Sequence, residues 1–184
     1  MNHHTRAVTL ALLAVSAVPY TAYAQSPVEA GSGWVISAIG GLAVDEDGDV
    51  SPAAGVAAAY PLTRHVAAEG ELAHAFDVAP ADSGVDSSVT SVHGSMLYFF
   101  TTPFTTAPYL AAGIGIATFS HEVMGSPFDD RTEIGFNFGG GLTHPLSDRV
   151  WARGDVRVFR HIDDVPFLWR FTGALTIRLS RRRG

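Results

Sequence analysis

The sequence contains no cysteine and no lysine. Without cysteine there is no disulfide framework and no lipoprotein cleavage site. Without lysine, the glycine runs at 113–115 and 139–141 cannot be read as phosphate-binding loops, and neither run precedes a helical pattern. Charge is also scarce. Charged residues make up 16% of the chain, against about 25% in an ordinary soluble domain. What charge there is leans acidic, with a net value of −6, which argues against nucleic acid as a partner. Beyond the first 24 residues, no apolar run reaches the roughly 20 residues of a spanning helix. No segment sustains a 3.6-residue period.

The first 24 residues read as a cleaved signal peptide. "MNHHTR" carries one positive charge, Arg6; "AVTLALLAVSAVPY" is an apolar run; Ala22-Tyr23-Ala24 is a small-x-small cleavage box. The predicted mature chain starts at Gln25, with a linker over 25–32, a β-domain over 33–179 and a basic tail over 180–184.

What the rest of the chain does have is glycine, 19 in all, and repeated strand signals. Eight strands are predicted, over 33–43, 52–62, 65–77, 89–100, 108–119, 132–144, 149–160 and 167–179. Short turns, "PLTR", "TTPFTTA" and "HPLSD", alternate with mostly longer connections, "VDEDGDVS", "DVAPADSGVDSS", "SHEVMGSPFDDR" and "RHIDDVPF". Short turns at one end and longer loops at the other characterise an outer-membrane barrel. The expected fold is all-β, an eight-stranded antiparallel up-and-down transmembrane barrel with both termini at the short-turn, periplasmic end.

Side chains alternate faces along a strand. In 149–160, Val150, Ala152, Gly154, Val156 and Val158 oppose Trp151, Arg153, Asp155 and Arg157. In 65–77, Leu72 and Val66 oppose Glu69 and Glu71. An arginine facing lipid at the midplane costs roughly 2–4 kcal/mol, so the charged face points inward. Glu69, Glu71, Glu133, Arg153, Asp155, Arg157, Arg170 and Arg178 are therefore predicted to form a lumen charge network, four acids against four bases. Buried charges must pair. The tripeptide Arg153-Gly154-Asp155, a cell-adhesion signal on an exposed loop, becomes two lumen charges flanking an outward glycine. Inward Gly139 and Gly141 are expected to make room for a large side chain, with Trp151 placed opposite Gly141. Trp34, Tyr60, Tyr98 and Phe100 at one end, and Phe76, Phe167 and Trp169 at the other, fit interfacial girdles.

The predicted loops are acidic: Asp45, Glu46, Asp47, Asp49, Asp77, Asp82, Asp86, Glu122, Asp129, Asp130, Asp163 and Asp164. "DEDGD" lacks EF-hand spacing, and the histidines His65, His74, His93 and His144 lack metal-ligand spacing. No metal, cofactor or catalytic residue is expected. Two other function classes fit the sequence less well. A lipid A-modifying enzyme similar to PagL would draw on Ser120, His121, Glu122 and His161, but strand neighbours alternate faces, so Ser120 and His121 cannot meet as nucleophile and base. A soluble lipocalin-like periplasmic ligand binder would need the faces inverted.

The motifs "PYLAAGIGIA" (Pro108 to Ala117), "FNFGGGLTHPLSDRVWARGDVRVF" (Phe136 to Phe159) and "WRFTGALTIRL" (Trp169 to Leu179) resemble the outer membrane β-barrel domain family, the small OmpA/OmpX-like porin family proteins. That family's penultimate strand typically holds Arg-x-Asp-x-Arg, matched by Arg153, Asp155 and Arg157. The resemblance implies a Gram-negative outer-membrane location and a structural or surface-interaction role. It also implies outer-membrane lipid, lipopolysaccharide and the barrel assembly machinery as partners. The chain departs from the family at its end: the last strand closes on Leu179 and "SRRRG" follows, where relatives usually end on an aromatic.

Overall fold

The computed structural model describes residues 33–76, 78, 85–100, 106–123, 126–162 and 167–179. The predicted signal peptide, linker and basic tail lie outside these residues. Eight strands form a closed barrel in sequence order: β1 Val35–Val44, β2 Val50–Pro61, β3 Val66–Ala75, β4 Val85–Phe99, β5 Ala107–Val123, β6 Ser126–Pro145, β7 Val150–His161 and β8 Leu168–Arg178. Every neighbouring pair is antiparallel, and β1 seals against β8 from Val35↔Arg178 to Val44↔Trp169. Closure leaves no sheet edge to template aggregation.

Two short turns are built alike. "PLTRHV" (Pro61 to Val66) and "PLSDRV" (Pro145 to Val150) share a Pro-Leu-Ser/Thr-x-x-Val pattern. In the first, the amides of Leu62 and Thr63 both donate to the Val66 carbonyl, at 2.9 and 3.0 Å. In the second, Leu146 and Ser147 donate to the Val150 carbonyl at the same two distances. The Thr63 hydroxyl accepts the amides of His65 and Val66, and the Ser147 hydroxyl accepts that of Arg149. Each hydroxyl thus satisfies backbone donors that the turn frees from the ladder.

The strands run further than predicted at the opposite end. β4 starts at Val85 rather than 89, β5 continues to Val123 rather than 119, and β6 starts at Ser126 rather than 132. The β5–β6 ladder is paired out to Val123↔Ser126, with a bulge at His121/Glu122. The connection predicted to be long is therefore residues 124–125 alone. Most residues of this extension are polar and its few apolar ones do not alternate regularly, so it lacks the pattern that marks a half-buried strand; backbone pairing defines it. As a result Asp129 and Asp130 sit in β6, paired with His121 and Ser120, and Asp86 and Glu122 pair with each other across β4 and β5. None of the four is a loop residue.

The two faces differ chemically. Outward are Leu72, Val92, Ile114, Ile134, Phe136, Phe138, Val156, Phe171 and Leu175, all large and exposed, with Ile114 at 69%. Arg160 lies on the same face and stacks on Phe167 at 4.4 Å. A water-soluble monomer rarely exposes so continuous an apolar surface. Trp34 packs on Tyr60 (5.3 Å) and Tyr98 on Phe100 (5.5 Å) near the short-turn end. Phe76, Phe167 and Trp169 are exposed near the other end. Inward are alanine, serine, glycine and the charges. Two small apolar clusters line the lumen, one around Ala43, Ala53, Ala75, Val89 and Ala117, the other around Ala67, Leu97, Tyr109 and Ala111.

Candidate functional site: the charged lumen

An eight-stranded barrel is just wide enough for its own side chains to fill. Its middle here is crossed by three guanidiniums and three carboxylates. Arg153, on β7, donates through Nη1 and Nη2 to Glu69 of β3, and its Nη2 also reaches Asp155 Oδ2 at 3.0 Å. Arg157, two residues further on β7, donates Nη2 to Glu69 Oε1 at 2.7 Å and Nε to Asp155 Oδ1 at 2.9 Å. Its Nη1 lies 3.7 Å from Glu71 Oε2. Arg170 of β8 holds the other oxygen of Glu71 at 2.5 Å and stacks on Phe159 at 4.6 Å. Arg157 is 1% exposed. It is one of the most enclosed large side chains in the barrel, and opposite charges meet it on two strands.

Period-2 alternation explains the assembly. β3 presents Glu69 and Glu71 inward because Gly70 and Leu72 face out; β7 presents Arg153, Asp155 and Arg157 because Gly154 and Val156 face out. A Cβ on Gly154 would meet no atom within 4 Å. Arg153 and Asp155 are buried, so the Arg-Gly-Asp tripeptide is not displayed as a loop.

The remaining predicted network residues lie elsewhere. Glu133, buried on β6, pairs with Arg131 Nε at 2.5 Å. The sequence pattern places Arg131 in a loop and gives it no partner; in the longer β6, Arg131 and Glu133 share a face. Arg178 is half-buried at the short-turn end and stacks on Trp151 at 4.8 Å. The charge cluster at mid-lumen therefore does not include it.

Tyr109 was not singled out from sequence, although it shares inward parity with Gly113 and Gly115. It stands between the two charges of the tripeptide. Its hydroxyl donates to Asp155 and accepts from Arg153 Nε at 2.6 Å, and the Arg153 guanidinium lies 5.0 Å from its ring centre. Ser95 accepts from Arg157 Nη1 at 3.4 Å and donates to Asn137 at 3.2 Å. The expected partner of Gly141 also changes. The four-residue turn 146–149 sets the register so that Trp151 pairs with Pro145 and Gly141 with Asp155. On its other side Gly141 pairs with Tyr109. A Cβ at Gly141 would lie 2.7 Å from the Tyr109 hydroxyl, and one at Gly139 would lie 2.7 Å from the Arg157 Cα. These two glycines make space for the tyrosine and the arginine.

The histidines are placed in polar or aromatic settings. His65 bonds the Phe99 carbonyl at 3.1 Å, His74 the Thr90 hydroxyl at 2.8 Å and His144 the Thr106 hydroxyl at 2.7 Å. His93 is buried in the lumen, edge-on to Phe159 at 4.9 Å. Of the candidates for an enzymatic site, Ser120 pairs in register with Ser88 and Asp130. The side chains of His121, Glu122 and His161 lie outside the described residues, as do those of Asp77, Asp82, Asp86, Asp129, Asp130, Asp163 and Asp164. Among the described residues no group of three or more His, Asp or Glu could hold a metal ion. In the β1–β2 connection, Asp45 Oδ1 accepts the Asp49 amide at 2.8 Å, Gly48 turns the chain at φ 88°, and Glu46 accepts the Phe167 amide at 2.8 Å. These carboxylates organise the connection itself and tie it to the start of β8.

Comparison with solved structures finds the same architecture. Neisserial surface protein A superposes with a TM-score of 0.65 at 17% identity, covering 79% of this chain and 96% of that one. The N-terminal β-barrel domain of OprF from Pseudomonas aeruginosa gives 0.59 at 18%, covering 79% and 98%. Ail, the attachment invasion locus protein of Yersinia pestis, gives 0.53 at 13%, covering 82% and 100%. No curated protein matches the chain. The family described as "Outer membrane protein beta-barrel domain" matches residues 7–177. With an eight-stranded closed barrel, an apolar outer face and that match over nearly its whole length, the chain belongs to the outer membrane protein beta-barrel domain family.

Proposed function

We propose that this protein is an integral outer-membrane barrel with a structural or surface-interaction role, not a diffusion pore. Its mature chain begins at Gln25 after signal-peptide cleavage, and outer-membrane lipid and lipopolysaccharide surround it. One observation carries the proposal: Arg153, Arg157 and Arg170 meet Glu69, Asp155 and Glu71 across the middle of the barrel. A bridged set of this kind holds its members in place, because freeing one leaves a partner buried and unpaired. Access to the outside then rests with the loop end, where the exposed Glu46, Asp47 and Asp49 give an acidic tip. Ail has been crystallised with the heparin analogue sucrose octasulfate; an acidic tip is a poor match for such a polyanion, so a partner of this chain is expected to be cationic or neutral there. The barrel assembly machinery would read a last strand that ends at Arg178.

Planar-bilayer recording tests the plugged lumen. Purified, refolded protein should give no steady channels, or only small ones. Large, stable, porin-sized steps would overturn the proposal.

A further inference from the structure

Towards the loop end, the outer face of the barrel changes character in two ways. On β3 to β6 the exposed aliphatic row Leu72, Val92, Ile116 and Ile134 is followed by a row of His74, Thr90, Thr118 and Thr132. Polar atoms of this second row answer one another: His74 Nδ1 bonds the Thr90 hydroxyl at 2.8 Å, and the Thr118 and Thr132 hydroxyls bond at 3.0 Å. On β7 the aliphatic Val156 and Val158 are followed by Arg160, the last residue but one of that strand. Arg160 is half-buried, and its guanidinium lies 4.4 Å from the centre of the Phe167 ring. No carboxylate among the described residues pairs with it. Glu46, tied to the same corner, accepts the Phe167 amide at 2.8 Å. An arginine facing lipid is costly at the midplane and nearly free at headgroup level, so this cation stands where the surrounding lipid carries its own charge. Stacking covers one face of the guanidinium and leaves its N–H edge in the plane. That edge is a fixed fork of donors, which matches the paired oxygens of a phosphate.

We propose that Arg160, held on Phe167, binds a phosphate of an outer-leaflet lipid, and that this contact seats a phosphorylated glycolipid of the lipid A type against β7 and β8. The inference rests on the outer-membrane placement given above and names the lipid group that the barrel holds at its loop-end rim. The hydroxyls and imidazole of the β3–β6 row bond one another, whereas the Arg160 fork is left for lipid.

The test uses the refolded chain, labelled with ¹⁵N, in uncharged micelles free of phosphate. EDTA is present so that no divalent ion bridges lipid to the exposed Glu46, Asp47 and Asp49. Arg160→Gln identifies the Arg160 Nε–H signal by its loss, and Arg160→Lys does so if the glutamine variant fails to refold. Diphosphoryl lipid A should shift that signal saturably, and the dephosphorylated glycolipid should leave it in place. Inorganic phosphate at the same concentration should also leave it in place; a shift of equal size would make the ligand a free ion and overturn the lipid assignment. In urea, saturating diphosphoryl lipid A should raise the midpoint of the parent, and raise that of the Arg160 variant by less than about half as much. Phe167→Leu, which keeps the charge and removes its platform, should weaken lipid A by about threefold. No saturable Arg160 shift, a shift as large with the dephosphorylated glycolipid, or equal stabilisation of parent and Arg160 variant would overturn the proposal. Quenching of the outward tryptophans by brominated lipid does not involve Arg160, so failure of this site is distinguishable from failure of the membrane placement.

Discussion

Arg157→Val should destabilise the detergent-refolded barrel by about 3–5 kcal/mol, the range for breaking a buried ion pair by removing one partner. The wild-type cluster balances three guanidiniums against three carboxylates. Removing Arg157 leaves Glu69, Glu71 and Asp155 to share Arg153 and Arg170, so one buried negative charge is uncompensated. Valine also abandons Ser95, which receives an Arg157 hydrogen bond. The loss should be partly recovered by neutralising one of the acids that Arg157 touches: Asp155→Asn, Glu69→Gln or Glu71→Gln. Glu133 should not rescue, because its charge is answered by Arg131. Urea unfolding of the single and double variants measures both effects. Rescue by Glu133→Gln equal to that by Asp155→Asn would show that the effect is general lumen charge and not this network.

Its neighbour should fail for the opposite reason. Val156 is exposed on the outer face, registered against Gly140 and Phe171. Val156→Arg should cost roughly 2–4 kcal/mol, the penalty for a guanidinium facing lipid at mid-barrel. No lumen neutralisation should recover it, since the new charge points away from every lumen acid. The same urea assay in detergent and in lipid decides the matter. A silent Val156→Arg, together with a silent Ala152→Arg, would invert the faces and make the barrel a soluble one.

The facing of β7 was legible because strand geometry has a strict period of two, and because arginine and valine differ by several kcal/mol in what they tolerate outside. The same parity placed Glu69 and Glu71 on β3. Partner choice was less legible. Tyr109 sits on the inward parity of β5, yet nothing local in "APYLA" announces that its hydroxyl will stand between Arg153 and Asp155; that depends on two cross-strand registers. The register across β6–β7 hangs on whether the turn "LSDR" takes four residues, and a different count moves Trp151 to Gly141. Arg131 was missed for another reason. A strand that leaves the core keeps its backbone ladder and loses its apolar alternation, so Ser126 to Arg131 reads as loop. Arg178 shares parity with Arg170, but parity says nothing of depth along the barrel, and depth puts it on Trp151 at the rim.

The central claim is that the aliphatic face meets lipid and the charged face does not. Tryptophan quenching tests it most directly, because nature supplies both faces: Trp34 and Trp169 are 53% and 47% exposed outward, and Trp151 is 6% exposed inside. Three chains, each keeping one tryptophan and carrying phenylalanine at the other two, would be refolded into vesicles of dibrominated phosphatidylcholine. Strong quenching of Trp34 and Trp169 with Trp151 close to its emission in unbrominated lipid is the predicted result. Quenching of Trp151 as strong as theirs, or none at Trp34 and Trp169, would contradict the orientation.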